Sequence, residues 1–325
     1  MTLAEKLQQG WYGKGRLPWW CYPLAGLYGA VVSIRRSLYR LGWLKVVRLS
    51  CPVIVVGNLT VGGTGKTPLT LALFEALRQR GYRPGVMSRG YGGMQHEPML
   101  LGDGPNPAEV GDEPVLIRAA GVPVAMGRDR PAAAQLLVNA GCDVLIADDG
   151  LQHYRLARDV EICVIDGGRR FGNRRLLPAG PLRESLRRID EVDFRICNGG
   201  EAMAGEISMH LRGHTVRALL GGHEQPLSRF AGARVHAVAA IGHPQRFFTS
   251  LAAQSVEVIP HPFPDHHAFV PADLAFGDGL QVLMTEKDAV KCQAFAQKDW
   301  WSVPVKAELP AAFYDALCAR LGAKA

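Results

Sequence analysis

Residues 53 to 80 constrain this chain more than any other stretch. Val53-Ile-Val-Val56 is a continuous apolar run rich in valine, the pattern of a strand buried on both faces of a parallel sheet. It runs into Gly57-Asn-Leu-Thr-Val-Gly-Gly-Thr-Gly-Lys-Thr67. A helix over Lys66–Arg80 follows, with Leu69, Leu73, Phe74, Ala76 and Leu77 on its apolar face, Pro68 tolerated in its first turn and Gly81 at its end. Strand, glycine-rich loop and helix in this order build a phosphate site. Gly62, Gly63 and Gly65 let backbone N–H groups turn inward, and the helix N-terminus adds partial positive charge. Thr60, Val61, Gly62, Gly63, Thr64, Gly65, Lys66 and Thr67 are the expected nucleotide-phosphate loop. Lys66 is expected to reach the β- and γ-phosphates and Thr67 to hold Mg²⁺. The usual G-x-x-x-x-G-K-[ST] pattern is broken at its first position, which is Thr60.

Strand and helix patterns alternate onward from this unit. Strands are expected at Pro84–Ser88, Val122–Met126, Asp143–Ala147, Val160–Asp166 and Val192–Cys197, with helices over 113–120 and 129–140. Near residue 200 the pattern changes: 206–211 and 215–220 flank Arg212-Gly213-His214, which reads as a hairpin-like linker. Alternation then resumes through 235–241, 244–253, 256–259, 282–285 and 302–305 to a closing helix at 311–321. The expected fold is α/β: a P-loop nucleoside-triphosphatase-like lobe, then a smaller α/β lobe, joined by two β strands. The expected divisions are 1–45, 46–204, 205–222 and 223–325.

Asp143-Val-Leu-Ile-Ala-Asp148-Asp149 is an apolar strand ending in two carboxylates, the way a Mg²⁺-supporting acid is presented beside a P-loop. Asp148, first after the strand, is preferred as the metal-side acid, and Asp149 remains its alternative. The seven cysteines are scattered and never spaced Cys-x-x-Cys, so neither a disulfide framework nor a zinc site follows. A net charge of +7 suits an anionic partner, and arginines 155, 158, 169, 170, 174, 175, 183, 187 and 188 concentrate it. These arginines lack the interleaved aromatics of a base-stacking platform, so nucleic acid is not an expected partner. Leu17 to Ile34 carries no charge, contains Trp19, Trp20, Tyr22 and Tyr28, and is followed by Arg35, Arg36, Arg40, Lys45 and Arg48. That order suits a helix lying at a membrane interface; a buried helix of the globular fold and a short span are the alternatives.

Gly57–Pro68, including the non-glycine start of its loop, resembles the signature of the tetraacyldisaccharide 4'-kinases. Ser88-Arg-Gly-Tyr-Gly-Gly93, Gly111-Asp-Glu-Pro114, Asp148-Asp-Gly-Leu-Gln-His153, Pro178-Ala-Gly-Pro-Leu-Arg-Glu184, Phe263-Pro-Asp-His266 and Thr285-Glu-Lys-Asp288 resemble the same family in the same order. The likeness covers roughly residues 15 to 320. It implies transfer of the ATP γ-phosphate to the 4'-hydroxyl of an acylated glucosamine disaccharide 1-phosphate, in lipid A biosynthesis, at the cytoplasmic face of the inner membrane. It implies Asp112 as general base with His266 as its partner, Glu113 assisting the metal, and Asn58, Arg89, Arg170, Arg183 and Glu184 near the acceptor. No obligate protein partner is implied.

Two features stay open. Thr285–Asp288 follows a strand, but its lysine and aspartate are adjacent, so guanine recognition is not supported and a surface ion pair is an equal reading. A P-loop switch or partitioning ATPase is the competing function, in which Asp112 and His266 would have no obvious purpose.

Overall fold

The structure is a computed structural model that describes residues 3–13, 15–90 and 93–322. Tyr91 and Gly92 of the Ser88–Gly93 motif lie outside the described residues. Two helices, α1 (Leu3–Tyr12) and α2 (Cys21–Arg40), precede the first strand. The first lobe then runs β1 (Val53–Gly57), α3 (Lys66–Gln79), β2 (Pro84–Ser88), β3 (Met99–Leu100), α4 (Pro107–Val110), α5 (Asp112–Ala119), β4 (Val124–Met126), α6 (Arg130–Asn139), β5 (Val144–Ala147), β6 (Val160–Asp166), β7 (Phe194–Asn198) and β8 (Ile207–Arg212). The second lobe holds β9 (Thr215–Ala218), β10 (Glu224–Pro226), β11 (Arg234–Ala239), α7 (Pro244–Ala252), β12 (Glu257–Pro262), β13 (Val282–Thr285), α8 (Glu286–Cys292) and β14 (Trp300–Val303). The chain ends with β15 (Lys306–Glu308) and α9 (Ala311–Leu321).

Among the described residues the strands form two sheets, ordered β15-β8-β7-β6-β1-β5-β2-β4-β3 and β10-β9-β14-β13-β11-β12. The first is parallel from β8 to β4, with β15 and β3 antiparallel at its edges. Helices cover both faces, which is why β1 is apolar at every residue. Ile54 and Val56 pack with Leu69, Leu73 and Leu77 of α3, while Val53 and Val55 pack with Leu137 and Leu145 on the other face. The second sheet has the same two-faced plan. Leu283 joins Phe230, Phe248 and Trp301, while Val282 and Met284 face Leu274 and Trp300.

Two expectations about the link between lobes give way to a different arrangement. The strands at 207–212 and 215–218 are not a hairpin: β8 pairs with β7 and β15, whereas β9 pairs with β14 and β10. Each strand finds its partners in its own lobe, and the two-stranded crossing is β8 against the returning β15. The closing helix α9 accordingly belongs to the first lobe. Phe313 and Leu317 are buried in the same core as Phe194 and Ile196, and Phe313 meets the Phe194 ring edge-on at 5.3 Å. Placing 223–325 wholly in the second lobe missed this return, because β15 is only three residues long and carries no clear apolar alternation.

The N-terminal helix α2 docks along one side only. Tyr28 donates to the Arg183 carbonyl at 2.9 Å, Gly29 lies against Leu176, and Arg36 and Arg40 pair with Glu191. Leu24, Leu27, Val31 and Ile34 line the other side and stay exposed, Leu27 at 64%, with Trp19 and Trp43 exposed at 79% and 77% at its two ends. No helix among the described residues is long and apolar enough to cross a membrane.

If α9 belongs to the first lobe, Phe313→Ala will cost about 3–5 kcal/mol, and the loss will fall on the first-lobe transition. Urea unfolding followed separately by second-lobe Trp301 and by a first-lobe probe checks this; an effect confined to the second lobe would contradict it.

Candidate active site

Parallel strands put their chemistry at their carboxyl ends, and in this fold both sheets turn those ends toward one cleft. From the first sheet come the loop after β1, Ser88 at the end of β2 and Arg89 after it, Asp148 and Asp149 after β5, Asp166 at the end of β6 and Asn198 at the end of β7. From the second come Gly242 after β11, Asp265 and His266 after β12, and Lys287 after β13. The lobes touch here: a Cβ on Gly242 would lie 2.6 Å from the Gly63 nitrogen.

The loop after β1 needs glycine where its backbone turns left-handed, at Gly62 (φ 99°) and Gly65 (φ 92°). Thr60 explains why the loop does without glycine at its start. It is buried and paired in an antiparallel bridge with Leu182, while Val61 N–H donates to Pro181 O at 2.9 Å and Arg183 N–H to Leu59 O at 2.7 Å. The Pro178–Glu184 motif is thus the loop's outer brace. Lys66 Nζ lies 3.3 Å from Asn58 Oδ1 and 3.5 Å from Asp149. The buried Thr64 hydroxyl has no partner among the described residues, as suits a donor aimed at phosphate oxygen.

The adjacent acids have separate environments. Asp149, in left-handed backbone at φ 48°, accepts two bonds from Arg183 Nη1 at 3.0 and 3.1 Å. Burial raises its pKa, but the charges of Lys66 and Arg183 outweigh that and hold it far below the usual carboxylate range. Asp148 is fully buried, with Thr70 Oγ1 at 3.3 Å, and burial together with the Glu113 charge pushes it up to about 7 against the pull of Lys66. Arg130 is also buried and donates to the Asp149 carbonyl at 2.9 Å; desolvation brings its pKa down to about 10.

Across the cleft, His266 Nδ1 lies 3.1 Å from Asp112 Oδ2, joining positions 154 residues apart. Asp112 opens α5, and His266 sits in left-handed backbone at φ 62°. The neighbouring His267 instead bonds Asp273 at 2.9 Å, so of the adjacent pair it is His266 that meets Asp112. Lys287 reaches in from α8, 3.3 Å from Glu113 Oε1, 3.4 Å from His266 Nε2, 3.7 Å from Asp265 and 3.8 Å from Asp112. Burial raises the Asp112 pKa, but the His266 hydrogen bond and the Lys287 charge more than offset it, and the net shift is downward. The same hydrogen bond raises His266, against its own desolvation.

A family model described as tetraacyldisaccharide-1-P 4'-kinase matches residues 17–322. A Stenotrophomonas maltophilia protein named tetraacyldisaccharide 4'-kinase is 54% identical over 322 residues, covering 96% of this chain and 95% of its own. One of the same name from Xanthomonas euvesicatoria is 53% identical, covering 96% and 94%. The chain belongs to the tetraacyldisaccharide 4'-kinase family. A solved structure of the Aquifex aeolicus LpxK, in complex with ATP, matches with a TM-score of 0.76 at 27% identity, covering 92% of this chain and 98% of that one. The P-loop-like α/β architecture is therefore that of the kinase family.

Not every residue expected near the acceptor of such a kinase faces the cleft. Asn58 is fully buried under the loop, its Nδ2 3.3 Å from Gly62 O. Glu184 is buried against Tyr154 and Gln152. Arg170 is taken up by Glu206, to which it donates at 2.9 Å and 2.5 Å. Arg89 alone of that set is exposed at the cleft edge. The arginine-rich stretch is in good part internal structure: Arg158, Arg169, Arg170, Arg183 and Arg188 hold carboxylates from buried or half-buried positions, while Arg155, paired with Asp129 at the surface, and Arg174, Arg175 and Arg187 are exposed. Arg130, Asn198 and Arg246 carry no signal in the sequence, and Arg169 shows there only as one of the arginine-rich stretch. Lys287 had a signal, its place in the motif after a strand, and its partner Glu113 is 174 residues away.

Removing the His266 ring takes away a group that favours the Asp112 carboxylate. His266→Asn should therefore raise the Asp112 titration midpoint, followed by ¹³C NMR of its carboxyl. An unchanged midpoint would show that the pairing contributes nothing to the ionisation of Asp112.

Proposed function

We propose that this kinase transfers the γ-phosphate of ATP to the 4'-hydroxyl of a tetraacyldisaccharide 1-phosphate, with Asp112 as the base. The observation that carries the reading is the Asp112–His266–Lys287 cluster, built from both lobes next to a P-loop. Asp112 accepts the hydroxyl proton as the new O–P bond forms and the bond from the γ-phosphorus to the ADP oxygen breaks. His266, bonded to Oδ2, orients the carboxylate; Lys287 fixes Glu113 and His266 from the far side. Lys66 and the inward amides of the loop take the phosphate charge.

The donor set suits Mg²⁺. Thr67, Asp148, Asp149 and Glu113 offer oxygen ligands, Asp149 now paired with Lys66 and Arg183 and Glu113 with Lys287. Bound there, Mg²⁺ would neutralise charge developing on the phosphate oxygens.

The exposed face of α2 supports a peripheral place on an anionic membrane, the inner membrane's cytoplasmic face being the reading that fits an acylated acceptor. Leu24, Leu27, Val31 and Ile34 supply the apolar stripe, and Arg16, Arg35, Lys45 and Arg48 are exposed around it. Arg89 at the cleft edge is the remaining candidate for the acceptor.

Asp112→Asn should lower kcat about 100-fold or more while leaving the KM for ATP near wild type. Near-wild-type kcat would remove Asp112 as the base. Leu27→Glu combined with Val31→Glu should abolish co-sedimentation with phosphatidylglycerol vesicles and spare turnover of detergent-dispersed acceptor; unchanged sedimentation would contradict the interfacial role of α2.

A further inference from the structure

In a trans peptide the C=O and N–H point in opposite directions, so a side chain that holds a loop carbonyl also aims the next amide. Three successive carbonyls of the phosphate loop are held in this way. Asn58 Nδ2 lies 3.3 Å from Gly62 O, Arg169 Nη2 lies 2.9 Å from Gly63 O, and Asn198 Nδ2 lies 2.8 Å from Thr64 O. Each bond fixes the direction of its carbonyl, and the N–H of Gly63, Thr64 or Gly65 in the same peptide then points away from that donor. The loop's glycines permit these orientations, and the three donors select them.

Asn198 is the most constrained of the three. It is buried at the end of β7, and the close approach is possible only because residue 65 is glycine: a Cβ there would lie 2.2 Å from Asn198 Nδ2. Its amide orientation is set by chemistry on both sides. Arg246 Nη2 donates to Asn198 Oδ1 at 2.6 Å, and a guanidinium can only donate, so Nδ2 must face the Thr64 carbonyl, which can only accept. Arg246 lies on α7 of the second lobe. It has its own close approach, since a Cβ on Gly199 would meet its Nη2 at 2.7 Å.

We propose that Asn198 is a positioning residue for nucleotide phosphate, and that Arg246 acts through it, so that contact with the second lobe sets the direction of the Gly65 amide. Arg169 has the same two-sided geometry, donating to Gly63 O of the first lobe and, at 3.1 Å, to Gly242 O of the second, while Asp166 anchors it. The lobe that brings His266 and Lys287 to the acceptor side therefore also orients the donor-side cradle. Neither function can be complete while the lobes are apart.

This inference rests on the kinase reading, and a binding measurement separates the two. The informative variant is Asn198→Asp, which keeps the size and the acceptor for Arg246 but loses the donor to Thr64. ATP affinity, measured by calorimetry on the full chain, should fall about 10-fold, the scale of one lost hydrogen bond. The melting temperature and the KM for the disaccharide acceptor should stay near wild type. Arg246→Met should weaken ATP binding in the same direction and Arg246→Lys should recover part of the loss. The Asn198→Asp/Arg246→Met pair should bind ATP no more weakly than Asn198→Asp alone. Multiplying effects in the pair, or unchanged ATP affinity in Asn198→Asp, would overturn the proposal. Failure of the wild-type protein to phosphorylate the acceptor, with these binding results intact, would instead count against the kinase reading alone.

Discussion

Everything in the cleft depends on β1 being hydrogen-bonded between two parallel strands, β5 on one side and β6 on the other. Parallel pairing sends all the neighbouring strands out of the sheet at one edge, so the phosphate loop, the Asp148–Asp149 pair, Asp166 and Asn198 emerge side by side although 140 residues of chain separate the first from the last. It also requires β1 to be apolar on both faces, which is met by two separate cores. The loop itself has little packing of its own. Its shape is imposed by Leu182 and Pro181 outside it, and by the donors that hold its carbonyls.

The second lobe repeats the geometry in opposition. β11, β12 and β13 are parallel, and the turns at their carboxyl ends supply Gly242, His266 and Lys287 to the same cleft. The reaction joins two chemistries that need different surroundings. Phosphate needs inward amides and Lys66; the acceptor hydroxyl needs a carboxylate kept ionised in a half-closed site. Burial alone would raise the Asp112 pKa, and the His266 hydrogen bond and Lys287 charge, both from the other lobe, more than offset it. The first lobe carries both Asp112 and the phosphate loop, and the second lobe supplies side chains that touch each of them, His266 and Lys287 at Asp112 and Arg246 through Asn198 at the loop.

The strand–loop–helix of residues 53–80 was legible because its signals are local: apolar continuity, glycine at left-handed positions and helical spacing all lie within 28 residues. The acids ending β5 were legible for the same reason, and Asp112 and His266 through family motifs. The link between lobes was not legible. β8 and β9 look like hairpin arms by spacing, but pairing is decided by which sheet has an open edge, and the returning β15 is too short to announce itself. Asn198 and Arg246 were missed because an asparagine ending a strand or a single arginine on a helix has no local mark of function, and Arg169 stood out only as part of a basic run. Their meaning lies in a carbonyl up to 134 residues away. The arginine-rich stretch misled in the opposite direction, since charge density suggested an anion-binding face where most of the side chains hold internal carboxylates.

Following the fate of the γ-phosphate tests the kinase reaction most directly. Incubated with γ-labelled ATP, Mg²⁺ and the tetraacylated disaccharide 1-phosphate, the protein is predicted to place the label on the 4'-oxygen, read by mass and by ³¹P–¹H correlation in the product. ATP consumption that is the same with and without acceptor, with the label found only as inorganic phosphate, would contradict the account and leave the P-loop to a nucleotide-driven switch.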